Sequence, residues 1–142
     1  MKRILATAVL TVMLGPGPAA RAAELPAPYA EAIASRDFDR LLTEINRQFD
    51  IPPWPQTDPE TIYPEIAGKA GAQGTVKLVV YVDEFGDVRD AVVADSPGWL
   101  ALEVAARRAA LTIRYKPAKR DDKPISAWYV ADIVFQVTWP GR

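Results

Sequence analysis

The residues able to do chemistry are few, and the missing types decide more than those present. Across 142 residues there is no histidine and no cysteine. That removes serine–histidine triads, cysteine nucleophiles, imidazole acid–base work and zinc sites built from the usual ligands. Carboxylates remain. Asp83, Glu84, Asp87 and Asp90 crowd one short stretch, but their spacing matches no EF-hand loop, and a solvated turn is expected there rather than a calcium site. Asp121 and Asp122 stand beside Arg120 and Lys123, where local charge balance accounts for them. The basic group Arg114, Lys116, Lys119, Arg120 and Lys123 could face an acidic partner, although ordinary solvated surface is the plainer reading. No glycine-rich phosphate loop occurs, and nothing marks out a carboxylate pair for glycoside hydrolysis. The sequence therefore assigns no catalytic residue, metal, cofactor or small-molecule substrate. It points to a small domain that binds a partner rather than to an enzyme.

The first residues set where such a protein works. Lys2 and Arg3 precede an apolar run from Ile4 to Leu14, then Gly15, Pro16, Gly17 and Pro18, then Ala20-Arg21-Ala22. This is the pattern of an export signal cleaved between Ala22 and Ala23. A helix of that run spans roughly 16 Å, against about 30 Å of bilayer hydrocarbon, so an uncleaved inner-membrane anchor is the lesser alternative. Three of the 17 bases and none of the 18 acids lie in this leader, so removing it takes the net charge from −1 to −4. That balance argues against a nucleic-acid partner. Without cysteine, no disulfide supports an exported fold, and the core must carry the stability alone.

Several elements must position whatever binds. Phe38, Leu41, Leu42, Ile45 and Phe49 recur at helical spacing behind a capping Asp37, which predicts an amphipathic helix over about 37–48. IPPWPQTDPE breaks regular structure and predicts an extended linker, with Trp54 as a hydrophobic plug on the domain rather than the ligand of an aromatic groove, the lesser alternative. Pro64 opens a short helix that Gly71 can end. TVKLVVYV alternates, with Val76, Leu78, Val80 and Val82 on one face. DEFGD turns the chain into VRDAVVAD, where a bulge near Asp90 would reconcile Val88 with Ala91 and Val93. Trp99 to Ile113 has helical character, with Trp99, Leu102, Ala105, Ala106, Ala109 and Ile113 on a wide face. A second stripe of Leu100, Val104 and Leu111 is expected to be covered by the upstream helix. In the last strand Tyr129, Ala131, Ile133, Phe135, Val137 and Trp139 face the core, while Trp128, Val130, Asp132, Val134, Gln136 and Thr138 face away. The predicted fold class is α+β, a three-stranded antiparallel sheet with helices packed on one face in the order αββαβ.

The sequence resembles the C-terminal domain of the TonB family over Tyr63 to about Val137. The resemblance rests on Tyr63-Pro64 before the short helix, on Gly74 and Gly86 in QGTVKLVVYVDEFGDV, on the alanine-rich helix, and on Tyr115-Lys116-Pro117-Ala118 before a long strand. Ile113 stands where that family often has an aromatic, and Asp121-Asp122-Lys123 replaces its usual Asp-Gly turn. The resemblance implies a domain over 59–142, preceded by a signal peptide over 1–22 and a helical extension with a proline-rich linker over 23–58. It further implies a periplasmic module that grips an extended segment of an outer-membrane receptor or envelope protein by adding it as a strand. Trp128, Val130, Asp132, Val134 and Gln136 would then be the contacting residues. Coverage of that edge from within the protein or by a second copy in a homodimer is the competing expectation. An anchored energy transducer and a structural or inhibitory envelope subunit are the other functions the resemblance leaves open.

Overall fold

The computed structural model describes residues 24–59, 64, 69 and 71–136. The predicted signal peptide, Tyr63, most of the short helix opened by Pro64 and the predicted end of the last strand, Val137 to Trp139, lie outside those residues. Two helices come first, α1 (Ala27–Ala34) and α2 (Phe38–Asn46). Asp37 caps α2 as its position predicts, accepting a hydrogen bond from the Arg40 N–H at 3.0 Å. After α2 the two-residue strand β1 (Trp54–Pro55) leads into β2 (Gly74–Val82) and β3 (Val88–Asp95). The helix α3 (Leu100–Ala110) follows. The chain closes with β4 (Tyr115–Lys116), β5 (Ala118–Arg120), β6 (Lys123–Ile125) and β7 (Ala127–Phe135).

The main sheet has three antiparallel strands in the order β3-β2-β7, so the α+β architecture is as predicted. Its β2–β3 register slips where Tyr81 faces Asp90 but Val82 faces Val88, which makes Arg89 the extra residue, next to the expected bulge. The slip turns Val88, Ala91 and Val93 onto one face. Val92 and Ala94 alternate onto the other face, and a second slip falls between Lys77 and Leu78. By contrast β2 and β7 pair without a break from Gly74↔Phe135 to Val82↔Ala127.

One face of the sheet carries Val76, Leu78, Val80, Val82, Ala131, Ile133 and Phe135 against Leu102, Ala106, Ala109 and Ala110 of α3. The small alanines bring helix and strands close. The helix differs from its prediction at its start: Trp99 is the N-cap and is partly exposed.

The other face corrects a larger expectation. The upstream helices do not cover the second stripe of α3, and Leu100, Val104 and Leu111 stay exposed. Tyr29, Ala32, Leu41, Ile45 and Phe49 instead pack on Val79, Ala94, Ala127 and Trp128 across the sheet. The physical reason lies in β2. Its consecutive Val79 and Val80 are both fully buried, so the central strand needs an apolar cover on each side. The extension supplies the second cover, and the sheet lies between two helical layers rather than having helices on one face alone.

The linker is held rather than loose. Trp54 and Pro55 pair with Lys116 and Tyr115, and Ile51 bridges to Lys119. Trp54 is no plug, since it is 68% exposed. The predicted polar turn is a tight one: Asp121 and Asp122 both take positive φ, 53° and 67°, between the paired strands β5 and β6. Asp tolerates that region better than most residues.

Candidate partner-binding edge

A three-stranded sheet has two edges, and each edge strand offers outward N–H and C=O groups to any strand that can reach it. On β3 the outward pair at Ala91 is already used. Arg107 of α3 donates its Nε–H to the Ala91 carbonyl at 2.7 Å, and the Ala91 N–H is bonded to the Asp90 side chain at 2.8 Å. Farther along, Arg36 pairs with Asp95 at 2.7 Å.

The β7 edge is different. Gln48, just after α2, accepts a hydrogen bond from the Trp128 N–H at 2.8 Å and donates one to the Trp128 carbonyl at 2.8 Å. Trp128 therefore points its main-chain groups away from β2. Because the β2–β7 ladder is unbroken and antiparallel residues alternate between inward and outward bonding, Val130, Asp132 and Val134 also present theirs outward. Among the described residues no group meets that part of the edge.

The five side chains expected to contact a partner separate into three kinds. Val134 and Gln136 are exposed, and Asp132 is exposed with its carboxylate 3.0 Å from the Lys77 ammonium on β2. Val130 is half-buried beside the upstream helices. Trp128 is a correction: it is 4% exposed, its ring 5.1 Å from that of Tyr81, inside the core under α1 and α2. Its indole is part of the fold and is not offered to a partner.

The residues carrying the resemblance have structural work where they are described. Pro64 is half-buried, Pro117 likewise. Gly74 begins β2 at φ 143°. Gly86 takes φ +92° at the hairpin tip, where its carbonyl accepts the Tyr115 N–H at 2.9 Å. Tyr115 is buried with its ring edge-on to Tyr129 at 6.5 Å. Burial, with the neighbouring Tyr129, pushes the Tyr115 phenol up to about 12.

Of the hairpin carboxylates Glu84 is exposed, as a solvated turn predicts, while Asp83, Asp87 and Asp90 are each bound separately. Asp83 is 8% exposed and accepts from the N–H groups of Phe85 and Asp87, both at 2.9 Å, and from Arg89 Nε at 2.8 Å. Burial works to raise its pKa, but the hydrogen bonds from Asp87, Arg89 and Phe85 outweigh it and hold the carboxyl below its usual value. Asp87 pairs with Arg114 and Asp90 with Arg107. No group of three or more metal-ligating side chains occurs among the described residues.

Part of the basic run is likewise built into the fold, while Lys116 and Lys123 are exposed. Arg120 donates to the carbonyls of Arg47 and Gln48 at 3.1 and 2.9 Å, and the Lys119 main chain bonds Asp50 and Ile51. Sequence reasoning missed Gln48. A glutamine in the last turn of an amphipathic helix reads as solvated surface, and no spacing rule links it to a strand 80 residues away.

Each edge strand thus has one outward residue engaged, Ala91 on β3 and Trp128 on β7, and β7 runs on beyond it. Residues 59–137 match the family described as Gram-negative bacterial TonB protein C-terminal, and the chain belongs to that family. These domains are protein-interaction and energy-transduction modules, not enzymes. Over 80 residues, 56% of this chain, it is 36% identical to the protein tonB2 of Pseudomonas aeruginosa, and that match spans 30% of the relative's length. A solution NMR structure of the Pseudomonas aeruginosa TonB C-terminal domain matches 63% of this chain and 89% of that one, at 21% identity and a TM-score of 0.49. Among the described residues no helix is long and apolar enough to cross a membrane.

Proposed function

We propose that this chain is a periplasmic protein-binding module of TonB type, which takes up an extended segment of an outer-membrane receptor as a fourth strand on β7. The observation that carries the reading is the difference between the two sheet edges. On β3 the outward residue engaged, Ala91, lies in mid-strand, held by Arg107 and Asp90, whereas on β7 it is Trp128 near the strand's start, and the main-chain groups of Val130, Asp132 and Val134 beyond it have no partner among the described residues. Main-chain bonding on such an edge supplies affinity, and alternate side chains supply selectivity. Val134 and Gln136 stand exposed beside it.

Asp132→Pro tests the edge directly. Proline removes an outward N–H without removing a ladder bond to β2, and edge strands tolerate proline with that orientation. The expected result is a folded protein that binds periplasm-facing receptor peptides of its host at least ~10-fold more weakly, the loss of about one hydrogen bond plus the steric block of the ring. Unchanged affinity, measured by calorimetry or fluorescence anisotropy, would remove β7 as the docking edge. Asp132→Ala controls for loss of the Lys77 ion pair.

Export is part of the same reading. The basic start, the short apolar run and Ala20-Arg21-Ala22 support cleavage after Ala22. N-terminal sequencing of the protein from the periplasmic fraction of its host is expected to begin at Ala23. An intact Met1 in the inner membrane would instead support an anchored transducer.

A further inference from the structure

The contact between Gln48 and Trp128 has the form of strand pairing made by a side chain. A primary amide carries one carbonyl and an NH2 group, the same donor and acceptor as a peptide unit. Gln48 uses both on one residue: Trp128 N–H to Oε1 and Nε2 to the Trp128 carbonyl, each 2.8 Å. An added strand would engage an outward-facing residue of β7 through the same two bonds. One partner residue's place on the edge is thus filled from within the chain.

The amide is held from several directions. Its Nε2 also donates to the Ile45 carbonyl at 2.8 Å. The main-chain carbonyl of Gln48 accepts from Arg120 at 2.9 Å, and the next residue, Phe49, is buried with its ring edge-on to Tyr129 at 6.2 Å. The place opposite Trp128 is therefore closed as long as α1 and α2 rest on the sheet.

We infer that Gln48 is a register stop for the incoming strand. It confines strand addition to the edge from Val130 onward, so the partner is an extended segment whose paired stretch ends one outward residue short of Trp128. This rests on the strand-addition reading given above. Between Val130 and Val134 the edge is ~13 Å long at about 3.3 Å per residue, which admits a paired stretch of about five residues. A single shift of register would exchange the partner's two side-chain faces. A fixed end therefore determines which partner side chains meet Val130 and Val134.

The test uses the mature chain, its Gln48→Met variant, which keeps the side chain's bulk without its hydrogen bonds, and Gln48→Ala as a second substitution. Amide hydrogen exchange read residue by residue by NMR is the first measurement. In the unliganded wild type the Trp128 N–H is expected to exchange at least ~10-fold more slowly than those of Val130, Asp132 and Val134, and to lose that protection in both variants. With saturating receptor peptide, the wild type is expected to gain protection at Val130, Asp132 and Val134. Gln48→Met is expected to gain it at Trp128 as well, and to bind a peptide two residues longer about 10-fold more tightly, the worth of one more hydrogen-bonded pair. Identical footprints and peptide-length dependence in wild type and variants would overturn the register stop while leaving strand addition standing. Absence of protection at Val130 to Val134 in every chain would overturn strand addition itself, and the stop with it.

Discussion

Gly86→Ala is expected to destabilise the protein by about 3–5 kcal/mol, a drop in melting temperature of roughly 10–20 °C for a domain of this size. A Cβ built on Gly86 would lie 1.9 Å from the Tyr115 carbonyl oxygen, and the backbone holds φ at +92°. Neither partner in that overlap can give way at low cost. The Gly86 carbonyl receives the Tyr115 N–H at 2.9 Å and the Gly86 N–H bonds the Asp83 carbonyl at 3.0 Å, so moving the tip breaks both. Tyr115 in turn is buried in the core with Tyr129 against it. Gly98→Ala separates the two causes. Gly98 has nearly the same φ, +96°, with nothing within 4 Å of the added carbon, so it should cost only the ~1 kcal/mol of an unfavourable dihedral. Equal losses at the two positions in urea or thermal unfolding would show that the close approach to Tyr115 contributes nothing.

This junction also shows which features a sequence can reveal. The hairpin and its turn glycine are legible because β2 alternates cleanly, the DEFGD turn is rich in turn formers, and only glycine takes positive φ without strain. The last strand is legible for the same reason of period: Ala131, Ile133 and Phe135 are buried as their alternation predicts. The capped helix α2 follows from the spacing of Leu41 and Ile45 behind Asp37. The strands β1, β4, β5 and β6 span only two or three residues each, too few to carry a period, and they form because the chain is brought back alongside itself.

Facing was the harder matter. Leu41 and Ile45 require an apolar surface, but periodicity does not say whether that surface is the stripe of α3 or the far side of the sheet. Two adjacent fully buried valines in β2, Val79 and Val80, were the signal that both sides needed covering. The same choice moved Trp128 from the expected contact surface into the core. It also brought Gln48 to the edge, which no local pattern announces.

Since the upstream helices supply half of the sheet's cover, Leu41→Ala is expected to weaken the whole fold by about 2–5 kcal/mol, in a single transition. Leu41 and Ile45 are fully buried against a cluster that includes Val79 of the central strand and Trp128 of β7. A cavity there lies under the sheet, not under an appendage. Leu42, one residue on, is largely exposed, and Leu42→Ala should change stability by less than about 1 kcal/mol. Urea unfolding followed by both tryptophan fluorescence and far-ultraviolet circular dichroism distinguishes the alternatives. Coincident curves shifted together in Leu41→Ala support one cooperative unit. An early helical transition that leaves the main one unmoved would make α1 and α2 an independent attachment. The outcome bears on binding as well, because α2 ends at the turn that carries Gln48. If the helices and sheet unfold as one, the Gln48 contact closes that end of the β7 edge whenever the domain is folded. If the helices release on their own, the edge lengthens by one outward residue each time they lift away.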